Sequence, residues 1–144
     1  MLRVFFDASV LFAAGYSTTG HARDLIRLAI QGRLQMVVSQ DVLDEVSRNM
    51  QRKAPERVET YRELLSLIEL ETVADPSKEE VWAVEGYVVQ KDAPIVAAAI
   101  NAQSDYLVTY DRKHLIDPPE VSEKSGLKIC TPANVVAQIR LEED

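Results

Sequence analysis

Short apolar segments that alternate with helical patterns constrain the fold of this chain more than any other feature of its sequence. The segments that we predict as strands are 2–6, 34–38, 69–73, 106–109 and 127–130. The stretches that we predict as helices are 21–31, 40–51, 55–68, 78–89, 93–103 and 132–141. Short apolar strands separated by helices are typical of a mostly parallel sheet covered on both faces. The sequence therefore predicts an α/β fold with a five-stranded, mostly parallel sheet.

The length of 144 residues fits one domain, which we predict to span 1–144. The longest apolar run falls well short of the roughly 20 residues that a membrane span needs, so no membrane partner is expected. The N-terminal stretch MLRVFFDASVLFAAG carries Asp7 within its apolar run, which a signal peptide avoids, and we interpret it as a buried first strand. The single cysteine, Cys130, excludes a disulfide within the chain and suits a reducing cytoplasm, where we expect the protein to act.

The formal net charge of −7 argues against simple nucleic-acid binding, because phosphate contacts usually come from Lys and Arg. Two histidines and one cysteine do not build a tetrahedral zinc site of the usual kind. A metal ion in this protein would therefore have oxygen ligands. Some of the acidic residues would then hold cations, which reverse the local charge.

Two aspartates directly follow predicted strands. Asp7 ends the first strand in FFDASVL, and Asp111 ends the fourth in YLVTYD. Ligands of open parallel sheets bind beyond the carboxyl ends of the strands, so these two acids are candidate site residues. The structural alternative for each is a helix N-cap. Asp105 precedes the fourth strand, about 13 Å from its carboxyl end, and we assign it to a structural turn.

Two further acids lie on predicted helices. Asp92 precedes the helix APIVAAAINA, above the stripe of residues that packs on the sheet, and its structural alternative is again an N-cap. Glu45 lies about 60° around its helix from the apolar Val42, and its alternative is an exposed surface position. Asp41 and Asp44 lie further round that helix, toward solvent.

Acids gathered at one sheet edge need a cation. Two carboxylates about 4 Å apart repel by roughly 4 kcal/mol at an effective dielectric constant of about 20. Either some take up protons or a metal ion binds, and oxygen-only ligands favour Mg²⁺ or Mn²⁺. Such a site can bind a phosphodiester and activate water. The sequence shows no glycine-rich phosphate loop and no Ser–His–Asp or Cys–His arrangement that points to other chemistry.

Three blocks of the sequence resemble the PIN-domain family, and more narrowly its bacterial and archaeal VapC-like toxins. The blocks are VFFDASVLFAA, VVSQDVLDEVSRNM and KDAPIVAAAINAQSDYLVTYDRKHL. The resemblance implies a three-layer α/β/α sandwich and a Mg²⁺- or Mn²⁺-dependent ribonuclease. It also implies that the family's four catalytic, metal-binding acids correspond to Asp7, Glu45, Asp92 and Asp111.

The resemblance extends to neighbouring residues and to partners. Ser9 and Thr109 match hydroxyl residues that orient carboxylates or waters, and Ser39 is a weaker candidate of this kind. Many relatives have glycine where this chain has Tyr110, whose ring could stack on a base. The implied partners are RNA, an antitoxin that docks near residues 40–68, and a second copy of the chain in a homodimer.

Basic residues near the expected site are candidates for contact with the RNA backbone, and solvated surface charge is the alternative for each. They are Arg48, Arg52, Lys53, Arg112 and Lys113. We favour Arg112 and Lys113, because they adjoin Asp111.

These observations lead to one main hypothesis, a metal-dependent endoribonuclease that acts as the toxin of a toxin–antitoxin pair. The alternative is a non-catalytic PIN-like module that binds RNA or protein, in which the acids are relics or helix caps. A phospho-acceptor receiver domain is also a doubly wound sheet with acids at strand ends. It needs an acceptor aspartate directly after a middle strand, and the second strand is followed by Ser39 and Gln40 instead.

Overall fold

The computed structural model describes residues 1–143, and within them five strands form one sheet. The strands are β1 (Arg3–Phe6), β2 (Gln35–Ser39), β3 (Glu71–Val73), β4 (Tyr106–Val108) and β5 (Lys128–Cys130). Their order is β3-β2-β1-β4-β5, and every neighbouring pair is parallel. The predicted five-stranded α/β fold is confirmed. A receiver domain has the order 2-1-3-4-5, so the strand order excludes that alternative.

The sheet is flanked by helices that follow each strand. They are α1 (Ala8–Tyr16), α2 (His21–Ile30), α3 (Gln40–Lys53), α4 (Val58–Ser66), α5 (Lys78–Glu85), α6 (Ala93–Asn101), α7 (Pro119–Ser125) and α8 (Pro132–Glu143). Shorter turns of 3₁₀-helix cover Pro55–Arg57 and Gln90–Asp92, and a π-helical turn covers Arg112–Ile116. The predicted single domain 1–144 ends on Asp144, which lies outside the described residues.

The chain direction places these helices in two layers. From β1 to β3 the chain moves outward on one side of β1, and from β3 it crosses to β4 and continues to β5 on the other side. Because parallel crossovers are right-handed, reversing the direction reverses the face that the connecting helices cover. Helices α1 to α4 therefore cover one face, and α5 to α7 cover the other. Helix α8 packs against α2 on the first face, which completes an α/β/α sandwich.

The N-terminal apolar stretch is not a strand throughout. Strand β1 ends at Phe6, and helix α1 begins at Ala8, where the sequence analysis expected no helix. The reason is that α1 is apolar on nearly all sides and therefore shows no amphipathic stripe. Helix α7 and the π-helical turn were also not predicted, and α5 ends at Glu85 rather than near residue 89.

Strand β1 occupies the middle of the sheet and of the core. Val4, Phe5 and Phe6 are all fully buried, and burial of such side chains stabilises a fold by about 1.5–3 kcal/mol each. The direction of the chain reverses between β1 and β4, and ligands of doubly wound sheets bind at such a point. The carboxyl ends of these two strands therefore mark the expected position of a site.

Residues at the strand and helix ends behave as the sequence indicated. Helix α2 is followed by Gly32, whose φ of 72° is the left-handed conformation that glycine favours. Asp105 lies at the amino edge of the sheet, where its Oδ2 accepts a 2.8 Å hydrogen bond from the Arg3 amide. Its structural role is confirmed. Among residues 1–143, no helix combines the length and the apolar character that crossing a bilayer requires.

Candidate active site

The carboxyl edge of the sheet opens into a cleft of about 780 Å³. The acids that line it include all four predicted ones, Asp7, Glu45, Asp92 and Asp111. Asp7 comes from the end of β1 and Asp111 from the loop after β4. Asp92 comes from the start of α6 on one face, and Glu45 from α3 on the other. The expected convergence of these acids at one edge is what the structure shows.

Asp7 is held rigidly by hydrogen bonds. Its side chain is the N-cap of α1, because Oδ1 accepts from the Val10 amide at 3.0 Å, and the same oxygen accepts from Ser9 Oγ at 2.7 Å. Its Oδ2 accepts from the hydroxyl of Thr109. Burial raises the pKa of Asp7, and the hydrogen bonds from Thr109 and Ser9 oppose that shift. Asp7 therefore caps α1 with the same side chain that lines the cleft.

The hydroxyl groups of Thr109 and Ser9 connect the two loops that carry the acids. The fully buried Thr109 accepts a hydrogen bond from the Asp111 amide at 3.0 Å while it donates to Asp7. Ser9 accepts from the Tyr110 amide at 3.3 Å while it also donates to Asp7. Ser39 instead caps α3 by accepting from the Val42 amide. The geometry gives Ser9 and Thr109 an orienting position and gives Ser39 a helix cap.

Asp111 is surrounded by positive or donating groups. Its Oδ1 accepts from the His114 amide at 3.0 Å, and its Oδ2 lies 3.2 Å from His114 Nδ1 and 3.9 Å from Lys91 Nζ. Burial opposes ionisation of Asp111, but the hydrogen bonds and charge of His114, with the charge of Lys91, outweigh it and lower the pKa of Asp111. The surroundings of Asp111 therefore favour its ionised form.

Asp92 has the opposite environment. It stands at the N-cap position of α6 but makes no capping hydrogen bond, and its Oδ2 is buried with no hydrogen-bond partner among residues 1–143. Burial raises the pKa of Asp92, the nearby charge of Asp111 adds to that shift, and Lys91 opposes it. A buried carboxylate oxygen without a partner is costly to ionise, unless a cation binds to it.

One set of donors is close enough together to hold an ion: Asp92 and Asp111 line the cleft, and His114 lies beside Asp111, outside the lining that residues 1–143 form. Asp92, Asp111 and His114 each offer one atom, and these three atoms lie within 4.8 Å of one another. Within residues 1–143, neither Asp7 nor Glu45 belongs to this Asp92–Asp111–His114 cluster. The sequence analysis expected oxygen ligands alone and missed His114, whose signal is its position three residues after Asp111.

Glu45 lines the cleft from α3 and is exposed. Asp41, which the sequence analysis placed toward solvent, also lines the cleft, although its side chain is exposed too. Although Asp41 is exposed, the partial loss of water around its carboxylate raises its pKa, and the charge of Asp75 adds to that shift. The wall formed by α3 is therefore more acidic than expected, while Asp44 lies outside the cleft lining of the described chain.

Three basic residues and one tyrosine line the same cleft. They are Arg48, Lys53, Lys91 and Tyr110. The favoured pair, Arg112 and Lys113, is exposed on the π-helical turn and does not belong to the lining that residues 1–143 form. Arg52 on α3 is also exposed and also lies outside this lining. Tyr110 is 46% exposed, so its ring is accessible to a bound molecule. Lys91 lies on the wall opposite α3. It was missed because its position depends on the 3₁₀ turn Gln90–Asp92 that precedes α6.

Comparisons with known proteins agree with this architecture. The family model described as "PIN domain" matches residues 3–113, which include all four acids. A comparison with functionally curated proteins found no match. Among solved structures, PAE2754 from Pyrobaculum aerophilum superposes with a TM-score of 0.65 at 18% identity, over 97% of this chain and 96% of that chain.

A second solved structure has a similar fold. A chain of VapBC2 from Rickettsia felis, crystallised bound to a DNA fragment from their promoter, superposes with a TM-score of 0.63 at 16% identity. The alignment covers 89% of this chain and 97% of that chain. These two structures show the fold, and the family model covers more than half of the sequence. The chain therefore belongs to the PIN domain family.

Proposed function

We propose that this protein is a metal-dependent endoribonuclease that hydrolyses RNA phosphodiester bonds with Mg²⁺ or Mn²⁺. The observation that carries the proposal is the buried, unpartnered Oδ2 of Asp92 beside Asp111, whose pKa is lowered by His114 and Lys91. PIN domains are typically nucleases, which agrees with such a site. The donor chemistry also fits, because carboxylate oxygens are the ligands that these hard cations prefer.

The side chains of the cleft have distinct roles in this proposal. Asp92 and Asp111 hold the cation, which when bound binds the phosphate and activates a water molecule. Asp7, fixed by Ser9 and Thr109, orients water or ligands at the carboxyl end of β1. Glu45 reaches the same space from α3 and completes the acidic lining.

Positive charge on both walls supports binding of a nucleic-acid strand. Arg48 and Lys53 line the cleft from α3, and Lys91 lines it from the start of α6. Phosphates that lie between these walls meet cations there even though the whole chain carries −7. Tyr110 offers a ring on which a base can stack.

The test is cleavage of labelled RNA by purified protein in Mn²⁺, in Mg²⁺ and in EDTA. We expect Asp7→Asn to reduce the rate by about 100-fold or more, because the orienting carboxylate is lost. The fold should persist, since the amide of Asn can accept from Val10 and donate to Thr109. The matched control is Asp105→Asn, which changes the same residue type at the opposite edge of the sheet.

Two outcomes contradict the proposal. One is equal cleavage by Asp7→Asn and the unchanged protein, which would mean that a contaminant or another site cuts. The other is the absence of cleavage of any RNA together with no stabilisation by Mn²⁺, which would leave a non-catalytic binding module. A single-stranded DNA of the same sequence, tested in parallel, establishes whether the 2′-hydroxyl is required.

We further propose that the chain is the toxin of a toxin–antitoxin pair, and that an antitoxin docks near α3 and α4. The fold shared with a chain of VapBC2 supports this assignment. Expression of the chain in cells should arrest growth, and expression of Asp7→Asn should not. If a neighbouring gene encodes a small protein, its co-expression should relieve the arrest and yield a stable complex on gel filtration. Light scattering of the free protein tests the expected homodimer.

A further inference from the structure

The Asp92–Asp111–His114 cluster contains one donor that the proposed nuclease does not require, the Nδ1 atom of His114. An imidazole nitrogen beside two carboxylates changes the chemistry of a site, because imidazole binds first-row divalent metals, with affinity rising from Mn²⁺ to Ni²⁺, whereas Mg²⁺ prefers oxygen ligands alone. The position of this ring therefore bears on which ion the cleft selects.

The distance between the donors matches that of neighbouring ligands on one ion. His114 Nδ1 lies 3.2 Å from Asp111 Oδ2. With metal–ligand bonds of about 2.1 Å, adjacent ligands of an octahedral ion are about 3.0 Å apart. The nitrogen and this oxygen can thus bind one cation with little movement. One ligand atom from each of Asp92, Asp111 and His114 lies within 4.8 Å of the other two.

The backbone holds His114 in this position. The His114 amide donates to Asp111 Oδ1 at 3.0 Å, and the neighbouring Leu115 is buried in the core. The His114 side chain is only 29% exposed, whereas that of Lys91, whose ammonium group also lies near Asp111, is 66% exposed. Lys91 can therefore move away when an ion enters, while the histidine ring stays.

Within this cluster, the buried Oδ2 of Asp92 has no hydrogen-bond partner among the described residues. It is a buried acceptor whose need is met by neither the α6 backbone nor Lys91, and a cation bound between Asp92 and Asp111 would meet it. The imidazole would then complete a set of two oxygens and one nitrogen from the protein, with water in the remaining positions.

We propose that His114 Nδ1 is a metal ligand together with Asp92 and Asp111, and that it makes the site prefer Mn²⁺ and Ni²⁺ over Mg²⁺. This inference rests on the metal site of the proposed function but not on the identity of its substrate. It assigns to the π-helical turn Arg112–Ile116 the role of placing a nitrogen donor three residues after an acid.

The test measures metal binding without RNA. Mn²⁺ titrations followed by electron paramagnetic resonance, and Ni²⁺ and Mg²⁺ titrations by calorimetry, compare the unchanged protein with His114→Gln. We expect the substitution to weaken Mn²⁺ and Ni²⁺ binding by about tenfold or more, and Mg²⁺ binding by much less. His21→Gln is the matched control, since His21 is exposed at the start of α2 and does not belong to the Asp92–Asp111–His114 cluster of the described residues.

Pulsed electron resonance of Mn²⁺ bound to the unchanged protein provides a measurement that needs no variant. A bound imidazole gives a nitrogen coupling, and we expect one in the unchanged protein and in His21→Gln. Bound Mn²⁺ without this coupling would overturn the inference even if His114→Gln failed to fold. An equal loss of Mg²⁺ and Mn²⁺ affinity in His114→Gln would also overturn it, because His114 would then only position Asp111.

The result separates this inference from the nuclease proposal. Nitrogen-coupled Mn²⁺ in a protein that cuts no RNA would leave the metal site intact and overturn the nuclease alone. Cleavage by a protein whose bound Mn²⁺ lacks nitrogen coupling would support the nuclease and overturn the ligand role of His114 alone. If the unchanged protein binds no divalent ion, both the metal site and the ligand role of His114 are wrong.

Discussion

The hydroxyl of Thr109 is the residue-scale link between the two strand-end acids. It donates to Asp7 and accepts from the Asp111 amide, from a fully buried position. We predict that Thr109→Val, which keeps the shape and removes both bonds, lowers the cleavage rate by about 10–100-fold, because the carboxylate of Asp7 loses its orientation. Thr109→Ser keeps the hydroxyl and should retain most activity. RNA cleavage under single-turnover conditions measures the difference, and equal rates for the two variants would contradict the orienting role.

At this scale the sequence predicts some site residues better than others. Asp7 and Asp111 could be predicted because each directly follows a buried strand, and a strand has only one carboxyl end. Lys91 and His114 could not, because their positions depend on the 3₁₀ turn before α6 and on the π-helical turn after Asp111. Helical periodicity of 3.6 residues does not describe either turn, so that periodicity did not align these side chains with the acids.

At the scale of elements, Gly15 allows α1 to approach α3 and α4 closely. A Cβ atom at this position would lie 2.7 Å from Cδ1 of Tyr61 and 2.9 Å from Cε of Met50. Met50 can move its terminal methyl, but the ring of Tyr61 is buried and has little space. We predict that Gly15→Ala destabilises the protein by about 1–3 kcal/mol, despite the better helix propensity of alanine.

Urea denaturation followed by circular dichroism measures this change. Gly86→Ala is the control, because Gly86 follows α5 and a Cβ there has no neighbour within 4 Å among the described residues. A Gly15→Ala protein as stable as the control would show that α1 and α4 can separate at little cost.

Some helices of this fold can be predicted from the sequence pattern, and others cannot. Amphipathic helices such as α2 and α3 were predicted within a few residues, because one face of each is buried and the other is charged. Helix α1 was missed because its sequence is apolar all round, and such a run does not distinguish a helix from a buried strand by periodicity. Helix α7 was missed because it is only seven residues long, too short to repeat a pattern.

At the scale of the whole molecule, the buried acid of the cleft makes stability depend on metal and on pH. The folded state raises the pKa of Asp92 above the ordinary value of 3.8. The folded protein therefore binds a proton more tightly there than the unfolded chain, and the cost of ionising Asp92 is absent in acid and present at neutral pH. We predict that in EDTA at neutral pH Asp92→Asn melts at a higher temperature than the unchanged protein. This difference should shrink as the pH falls through the raised pKa of Asp92, and it should be absent below the ordinary value of 3.8.

Addition of Mn²⁺ should reverse this order. The unchanged protein gains about 2.7 kcal/mol when the free ion is at 100 times its Kd, and Asp92→Asn gains little because the site is incomplete. Thermal unfolding in EDTA and in Mn²⁺, at neutral and acid pH, tests both the pH dependence and the reversal by Mn²⁺. Asp117→Asn, an exposed change outside the cleft lining of residues 1–143, is the control. A lower melting temperature for Asp92→Asn in neutral EDTA would show that the carboxylate serves the apo fold.

Asp7 and Asp111 each begin a helical segment with the same side chain that faces the cleft. Asparagine caps helices about as well as aspartate, so the negative charge can be removed at both positions while the turns that follow stay in place. A disarmed form of this protein should thus be obtainable with two single-atom changes and without a folding defect. Under the proposed function, such a form could be produced in quantity in a host whose growth the active protein would arrest. It could also hold an uncut strand long enough for the complex to be crystallised.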